Sequence, residues 1–436
     1  MLGGLQNIGR IPELRQRILF TFGMLAVYRV GCVIVTPGIN PQVIRDFFEQ
    51  MSGTVFGLFS LFSGGAIEQL SVFSLGIMPY ISATIIFQLL TVVIPQLEAL
   101  KKEGEQGQKK INQWSRYATV VLAGFQSLLI ATALEGGQFG QGAVVNPGWG
   151  FKLTTMITLT CGTAFIMWLG EQVTERGIGN GISLIIFSGI IVRIPSGLTQ
   201  MMDLIRNDQF SPLEAILLGL LVLVVLGLVV LVERAQRRIP IQHARRVVGS
   251  QATQGGMSYF PLRVNTAGVI PPIFASSLLM FPVTIRQFTD SPAIQQFIDQ
   301  FMNPGTMLYN GIYVVLIIFF CYFYTAIIIN PTDVSENIKR FGGYIPGIRP
   351  GKKTAEYIDH VLSRLTLVGA LYVSLICVLP VILSTRFNFP FYFGGTAVLI
   401  CVSVALDTVG QVESHLVSRQ YEGLAKGTRI RGRLGR

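Results

Sequence analysis

Residues 213–232 read LEAILLGLLVLVVLGLVVLV. Glu214 and Glu233 stand at the margins of this run, and no charged residue lies between them. A helix of about 20 mostly apolar residues is long enough to cross the hydrocarbon core of a bilayer. The run therefore predicts a membrane-spanning helix, and it decides the class of fold to which the rest of the chain must conform.

Nine further apolar runs lie along the chain. The ten together are approximately 18–36, 72–95, 114–134, 151–170, 181–197, 213–232, 266–285, 307–329, 365–384 and 394–412. The first follows Arg10, Arg15 and Arg17 as a secretory signal would, but it lacks a small-residue cleavage site, so we expect a retained anchor. The sequence predicts an all-α, polytopic membrane protein with ten transmembrane helices.

The composition excludes the other broad classes of protein. Of the 436 residues, 50% are hydrophobic and 13% are charged, and the mean hydropathy is +0.55. A soluble domain carries roughly 25% charged residues, so this chain has too little charged surface for one. The same apolar excess excludes a disordered chain.

The basic residues indicate the orientation in the membrane. When alternate loops are assigned to opposite sides, 27 of the 34 lysines and arginines fall on the side that holds both termini. Cytoplasmic loops carry the excess of lysine and arginine in membrane proteins. We therefore expect both termini to be cytoplasmic, and the formal charge of +11 mostly reflects this asymmetry.

The ten spans divide into two sets of five. We expect a cytoplasmic N-terminus at 1–17, a first five-helix half at 18–197, a second half at 198–412 and a basic cytoplasmic tail at 413–436. Because five is odd, the second half must run inverted relative to the first. Long gaps at 37–71 and 233–265 follow the first span of each half, which favours an inverted repeat. Chance similarity of loop lengths is the alternative.

The first gap contains an apolar segment that is too short to span. Residues 55–68 read VFGLFSLFSGGAIE and are interrupted by Gly64 and Gly65. A re-entrant segment with irregular backbone must be buried in protein or line a cavity. The segment is therefore either a re-entrant piece that fills a cavity or an amphipathic helix on the outer interface.

Two connections on the cytoplasmic side, 233–265 and 330–363, are several times longer than the usual 4–6 residues. The first carries Arg245 and Arg246, and the second carries Arg349, Lys352 and Lys353. Positive-inside bias explains part of this charge. Protruding basic loops also suit an anionic partner, such as ribosomal RNA phosphates or an acidic protein face.

Nothing in the sequence indicates catalysis. The five cysteines lie in apolar runs without CxxC spacing, and the three histidines lie far apart. The glycine-rich stretch 177–181 has no strand before it and no lysine after it, so it is a turn with Asn180 as the cap of the next helix rather than a nucleotide site. We predict no enzyme activity, no cofactor and no metal.

Charged residues inside the predicted spans are scarce. Only Arg29 and Asp407 stand clearly within a span. Ion-coupled transporters place ionisable residues at mid-membrane, so this scarcity favours a passive channel over a secondary transporter for a small solute. The transporter is the alternative, and Arg29 is more consistent with a structural pair or a snorkelled side chain than with a proton relay.

Several motifs indicate a family. They are GIMPYIS at 76–82, KEGE at 102–105, RGIGNGIS at 176–183, GVIP at 268–271 with FASS at 274–277, and GIRPG at 347–351. In their order and placement they resemble the SecY/Sec61-alpha family, the central channel subunit of the Sec protein translocon, over essentially the whole chain. The resemblance implies two inverted five-helix halves around a central pore.

The resemblance also implies a ring of aliphatic side chains that pinches the pore. Matching the motifs puts this ring at Ile77, Ile81, Ile182, Ile186, Ile273 and Ile400. The pairs within one span are four residues apart and share a helix face, and a hydrophobic constriction blocks ions by dewetting. Taken alone, each isoleucine has a lipid-facing or packing role as its alternative.

A plug and a lateral gate follow from the same resemblance. The implied plug residues are Phe56, Gly57, Leu58, Phe59, Leu61, Phe62, Gly64, Gly65 and Ile67. The implied inner seam of the gate comprises Ser82, Gln126 and Phe281. Unfolded polypeptides would cross through the ring, and membrane segments would leave through the gate into the bilayer.

The resemblance implies partners as well. They are the companion subunits SecE and SecG, the motor ATPase SecA, the ribosome, signal sequences, nascent polypeptides and membrane lipids. SecA and the ribosome would engage the loops that carry Arg245, Arg246, Arg349, Lys352 and Lys353. The implied location is the plasma membrane of a bacterium.

Overall fold

The structure, a computed structural model, describes residues 12–50, 63–137, 140, 142–207, 211–243, 247–248, 251–252, 257–288, 306–387 and 395–427. Within these ranges the chain is mainly α-helical, and a helix covers most of each of the ten predicted runs. The prediction of a helical, polytopic membrane protein is confirmed.

The helices of the first part of the chain have the following bounds. They are α1 (Pro12–Val33), α2 (Pro41–Gln50), α3 (Met78–Val93), α4 (Pro95–Lys102), α5 (Glu105–Glu135), α6 (Trp149–Arg176), α7 (Gly181–Ile191), α8 (Arg193–Arg206) and α9 (Pro212–Arg234). A short 3-10 turn, Ala66–Gln69, lies between α2 and α3.

The second part of the chain adds strands. The elements are β1 (Gln236–His243), β2 (Val247–Val248), β3 (Gln251–Ala252), β4 (Met257–Arg263), α10 (Ile270–Phe288), α11 (Met307–Ile328), α12 (Pro331–Arg340), β5 (Gly343–Tyr344), α13 (Lys352–Phe387) and α14 (Gly395–Gly427).

Seven helical stretches among the described residues are long and apolar enough to cross a membrane, and α3 with α4 forms an eighth if this pair, bent by 99°, is one broken span. The run that decides the fold class, within α9, exposes large apolar side chains. Leu220, Leu223 and Leu231 are 58%, 66% and 70% exposed. Such a surface suits lipid rather than water.

The helices α5 and α6 pack along each other through small side chains. Ser115, Thr119, Ala123, Ser127 and Ala131 follow at four-residue intervals on α5, and all five are buried. Small residues let helix backbones approach closely, which is the main source of helix association in a bilayer.

The two long loops, 233–265 and 330–363, contain a small antiparallel sheet that the sequence did not predict. Its strand order is β4-β1-β5, with Ile239 of β1 opposite Phe260 of β4 and Gln242 of β1 opposite Tyr344 of β5. Ile239 is buried with Leu262 and Ile345 against α13. The sheet therefore joins loop 233–265 to loop 330–363.

The chain forms two compact units. The first unit comprises residues 1–87, 104–194 and 403–436, and the second comprises 88–103 and 195–402. The α5–α6 pair lies in the first unit, and the sheet with α10 to α13 lies in the second.

Replacement of Ala123 by leucine tests the α5–α6 packing. Ala123 is 0% exposed, so the larger side chain must force the helices apart, at a cost of about 1–3 kcal/mol. We expect a lower midpoint of thermal unfolding in detergent. Val121→Leu is the control, because Val121 is 70% exposed on the same helix, and equal midpoints for the two variants would contradict the packing.

Candidate functional site

The six isoleucines of the predicted ring are all among the described residues. Ile77, Ile186, Ile273 and Ile400 are buried, whereas Ile81 and Ile182 are half-buried. Ile81 donates its backbone N–H to the carbonyl of Ile77 over 3.0 Å, so this pair opens the first turn of α3. A Cβ built on Gly170 of α6 would lie 3.1 Å from Ile182 Cγ1, so Ile182 packs against α6.

The turn that opens α7 has the predicted construction. Asn180 Oδ1 accepts hydrogen bonds from the backbone N–H groups of Ile182 and Ser183, at 3.1 and 3.4 Å. Asn180 is therefore the N-cap, as predicted. The cap fixes the start of the helix that carries Ile182 and Ile186.

Of the predicted plug segment, 55–68, the structure describes the part from Ser63 onward. A Cβ built on Gly76, the residue before Ile77, would lie 3.7 Å from Ser63 Cα. A Cβ built on Gly64 would lie only 2.8 Å from Gly189 Cα, three residues after Ile186. The chain at 63–64 therefore lies between the start of α3 and the end of α7. The two glycines that it contacts are close in sequence to the predicted ring residues Ile77 and Ile186.

Glycine is required at position 64 on two counts. Its φ is +63°, in the left-handed region that favours glycine, and the contact with Gly189 leaves no room for a side chain. Gly65 also has a positive φ, of 87°. Ile67 follows in the 3-10 turn and is half-buried.

Three side chains hold this segment in place. Tyr28 donates its hydroxyl to the carbonyl of Ser63 over 3.3 Å. Arg29 donates from Nη1 to the carbonyl of Gly64 over 3.2 Å and from Nη2 to the carbonyl of Ser188. Arg193, at the start of α8, forms an ion pair with Glu68.

Other predicted plug and gate residues are only partly described. Phe56, Gly57, Leu58, Phe59, Leu61 and Phe62 lie outside the described residues. Ser82 on α3 and Gln126 on α5 are half-buried, and Phe281 belongs to α10, where its side chain is outside the described part. The gate stays a prediction.

The motif at 347–351 forms a fixed turn in the second unit. Ile345, just before it, is buried, and its carbonyl accepts from the backbone N–H of Ile348 over 3.1 Å. Gly347 has a φ of +79°, and the carbonyl of Arg349 accepts a hydrogen bond from the Thr354 hydroxyl over 3.1 Å. Ser335 on α12 also donates to the carbonyl of Gly351 over 2.7 Å. The backbone is thus held on both sides while the Arg349 side chain is exposed.

The neighbouring lysines extend this exposed basic surface. Lys352 and Lys353 are both exposed at the start of α13. Lys353 Nζ lies 2.9 Å from Glu356 Oε2, and this hydrogen bond raises the pKa of the lysine. Arg245 and Arg246, in the other loop, lie outside the described residues.

Sequence reasoning missed two features of the site. It noted Arg29 without identifying its partners, which are backbone carbonyls far along the chain, and it did not pair Glu68 with Arg193. The available signals were an arginine within an apolar span and an acidic residue three positions after a pair of glycines. No group of potential metal ligands occurs among the residues that the structure describes.

These features define a polytopic α-helical membrane protein in which an irregular segment is packed inside one helical unit. A family model described as SecY matches residues 71–409. The chain is 48% identical over 427 residues to the protein translocase subunit SecY of Escherichia coli strain K12, covering 97% of this chain and 96% of that relative. The chain belongs to the SecY family.

Solved structures show the same fold. A structure of SecY, whose plug domain is described as stabilising the closed state of the translocation channel and maintaining a membrane seal, aligns with a TM-score of 0.65. It is 20% identical and covers 94% of this chain and 95% of its own. Canine Sec61, from a ribosome-channel complex of the endoplasmic reticulum, aligns with a TM-score of 0.63 at 17% identity, covering 94% and 95%.

Proposed function

We propose that this chain is the central subunit of a membrane protein translocon, a passive channel that conducts unfolded polypeptides. The observation that carries the proposal is the position of Ser63 and Gly64 beside Gly76 and Gly189, next to predicted ring residues on α3 and α7. A segment that closes a pore must lie beside the constriction it seals. Membership of the SecY family supports the same function.

The proposed constriction comprises Ile77, Ile81, Ile182, Ile186, Ile273 and Ile400. β-branched side chains have few rotamers and form a stiff apolar rim, and an apolar constriction excludes ions without any charged group. Residues around 55–68 form the plug. Ser82, Gln126 and Phe281 lie at a lateral gate, through which apolar segments enter lipid because their transfer from water is favourable.

Energy for transport comes from partners, because the chain itself is not an enzyme. We propose SecA and the ribosome as the partners that dock on the cytoplasmic loops, with SecE and SecG as companion subunits. Canine Sec61 is part of a ribosome-channel complex, which supports the ribosome as a partner. The β4-β1-β5 sheet supports a single docking surface, because it joins the two loops, one of which carries the exposed Arg349.

We place the chain in the plasma membrane of a bacterium with both termini in the cytoplasm. Pairing of β1 with β5 requires loops 233–265 and 330–363 to lie on the same side, as the distribution of basic residues also requires. The similarity to the Escherichia coli subunit supports a bacterial membrane.

Crosslinking in inverted membrane vesicles tests the proposed function. Cysteines are placed one at a time at Ile77, Ile182, Ile273 and Ile400, and a stalled secretory precursor carries a photoreactive probe. We expect adducts at all four positions that depend on a functional signal sequence. A demonstrably stalled precursor without adducts at any position would favour a transporter of small solutes instead.

The combined variant Ile81→Gly, Ile186→Gly tests the seal. Without these side chains the constriction is wider and less apolar, so water and ions can enter it. We therefore expect the resting ion conductance of reconstituted channels to rise about tenfold. The matched control is Ile86→Gly, Ile191→Gly, since these isoleucines lie on the same two helices and are 44% and 39% exposed. An equal rise in both variants would show that general damage, not the ring, causes the leak.

The variant Arg349→Glu tests the docking surface. A reversed charge on a fixed, exposed turn should repel an anionic partner face, so we expect the rate of SecA-driven translocation to fall about tenfold. Arg340→Glu makes the same charge change in the same loop and should have little effect. Normal rates with Arg349→Glu, in protein that is fully inserted, would exclude this role.

A further inference from the structure

Arg29 is a charged side chain within an otherwise apolar span, and its position is costly unless its donors are satisfied. The guanidinium lies against the Tyr28 ring, 5.4 Å from the ring centroid, and donates to two backbone carbonyls. One belongs to Gly64, at the end of the predicted plug, and the other belongs to Ser188 on α7. One side chain therefore joins three separate parts of the first unit.

Two further contacts hold the same segment. The Tyr28 hydroxyl bonds to the carbonyl of Ser63, and Glu68 pairs with Arg193. Together, residues 63–68 are fixed from α1 on one side and from the end of α7 and the start of α8 on the other. The positive φ of Gly64 presents its carbonyl in a backbone conformation that other residues rarely adopt.

We propose that Tyr28, Arg29 and the Glu68–Arg193 ion pair form a latch that sets how readily the plug leaves its closed position. This inference rests on the proposed function. Displacement of residues 63–68 would take the Gly64 carbonyl away from Arg29 Nη1 and leave this donor unpaired in an apolar setting, which is costly. The closed position is therefore favoured by directional bonds rather than by apolar contact alone.

The latch also connects the plug to a helix of the proposed ring. Ser188 lies two residues after Ile186, so a shift of α7 changes the acceptor that Arg29 uses. A polypeptide that pushes α7 aside would weaken the hold of Arg29 on Gly64 at the same time. Opening of the ring and release of the plug would then favour each other.

Single-channel recording of Arg29→Gln tests the latch. Loss of a hydrogen bond from a charged donor should raise the resting open probability about tenfold, and it should let a precursor with a defective signal sequence be translocated. Arg45→Gln is the control, because Arg45 is an exposed arginine on α2. An unchanged open probability for Arg29→Gln, in a channel that inserts normally, would overturn the latch.

A deletion of residues 57–66 distinguishes the effect of the latch from the effect of the plug itself. The deletion should itself raise the open probability, and in this background Arg29→Gln should add nothing because its acceptor at Gly64 is gone. An additional rise in the deleted channel would show that Arg29 acts by another route and would overturn the latch. A deletion without effect would overturn the plug and the latch together.

The ion pair gives a test that does not depend on the folding of Arg29 variants. Arg193→Glu and Glu68→Arg should each raise the resting open probability severalfold, and the two substitutions combined should restore it, because the pair is re-formed with reversed charges. Restoration would show that the contact between residues 68 and 193, rather than either side chain alone, keeps the open probability low. Additive increases in the double variant would contradict a direct contact.

Discussion

Backbone polar groups have no water to bond within a bilayer, and this constraint governs the whole structure. It forces the apolar runs into helices, which satisfy their own N–H and C=O groups. It also restricts irregular backbone to places where protein supplies the partners. Around the 3-10 turn these partners are backbone groups of the loop after α1. Thr36 donates to Leu70 over 3.0 Å, and Val72 donates to Ile34 over 2.9 Å.

The same constraint explains why a charged residue lies in α1. Residues 63–65 cannot continue as a helix because Gly64 and Gly65 have positive φ values. The carbonyl of Gly65 accepts locally from Glu68, but those of Ser63 and Gly64 need donors from elsewhere in the chain. An arginine has five donors on a rigid plane and can reach carbonyls of two different elements at once. Arg29 does so for Gly64 and Ser188. The charge of Arg29, which is unfavourable in an apolar span by itself, thus serves to hydrogen-bond irregular backbone inside the protein.

The positions of the helices could be predicted because each depends on local composition, and the cap at Asn180 could be predicted because it depends on neighbouring residues. The partners of Arg29 could not, because they are backbone atoms 35 and 159 residues away and carry no side-chain signal. The sheet was missed for another reason. Ile239 and Ile241 alternate with other residues as strand residues do. They lie in a basic loop, however, and only the charge of that loop was interpreted from the sequence.

A channel that must both seal and open needs two kinds of contact. Contacts between isoleucine side chains are non-directional, so an apolar rim can part and close again around chains of different shape. Such contacts give little preference for one position of a plug. Hydrogen bonds from Tyr28 and Arg29 are directional, so in the proposed latch they define one closed position for the segment. On the proposed function, the ring accommodates varied polypeptides while the polar contacts restore a single resting state.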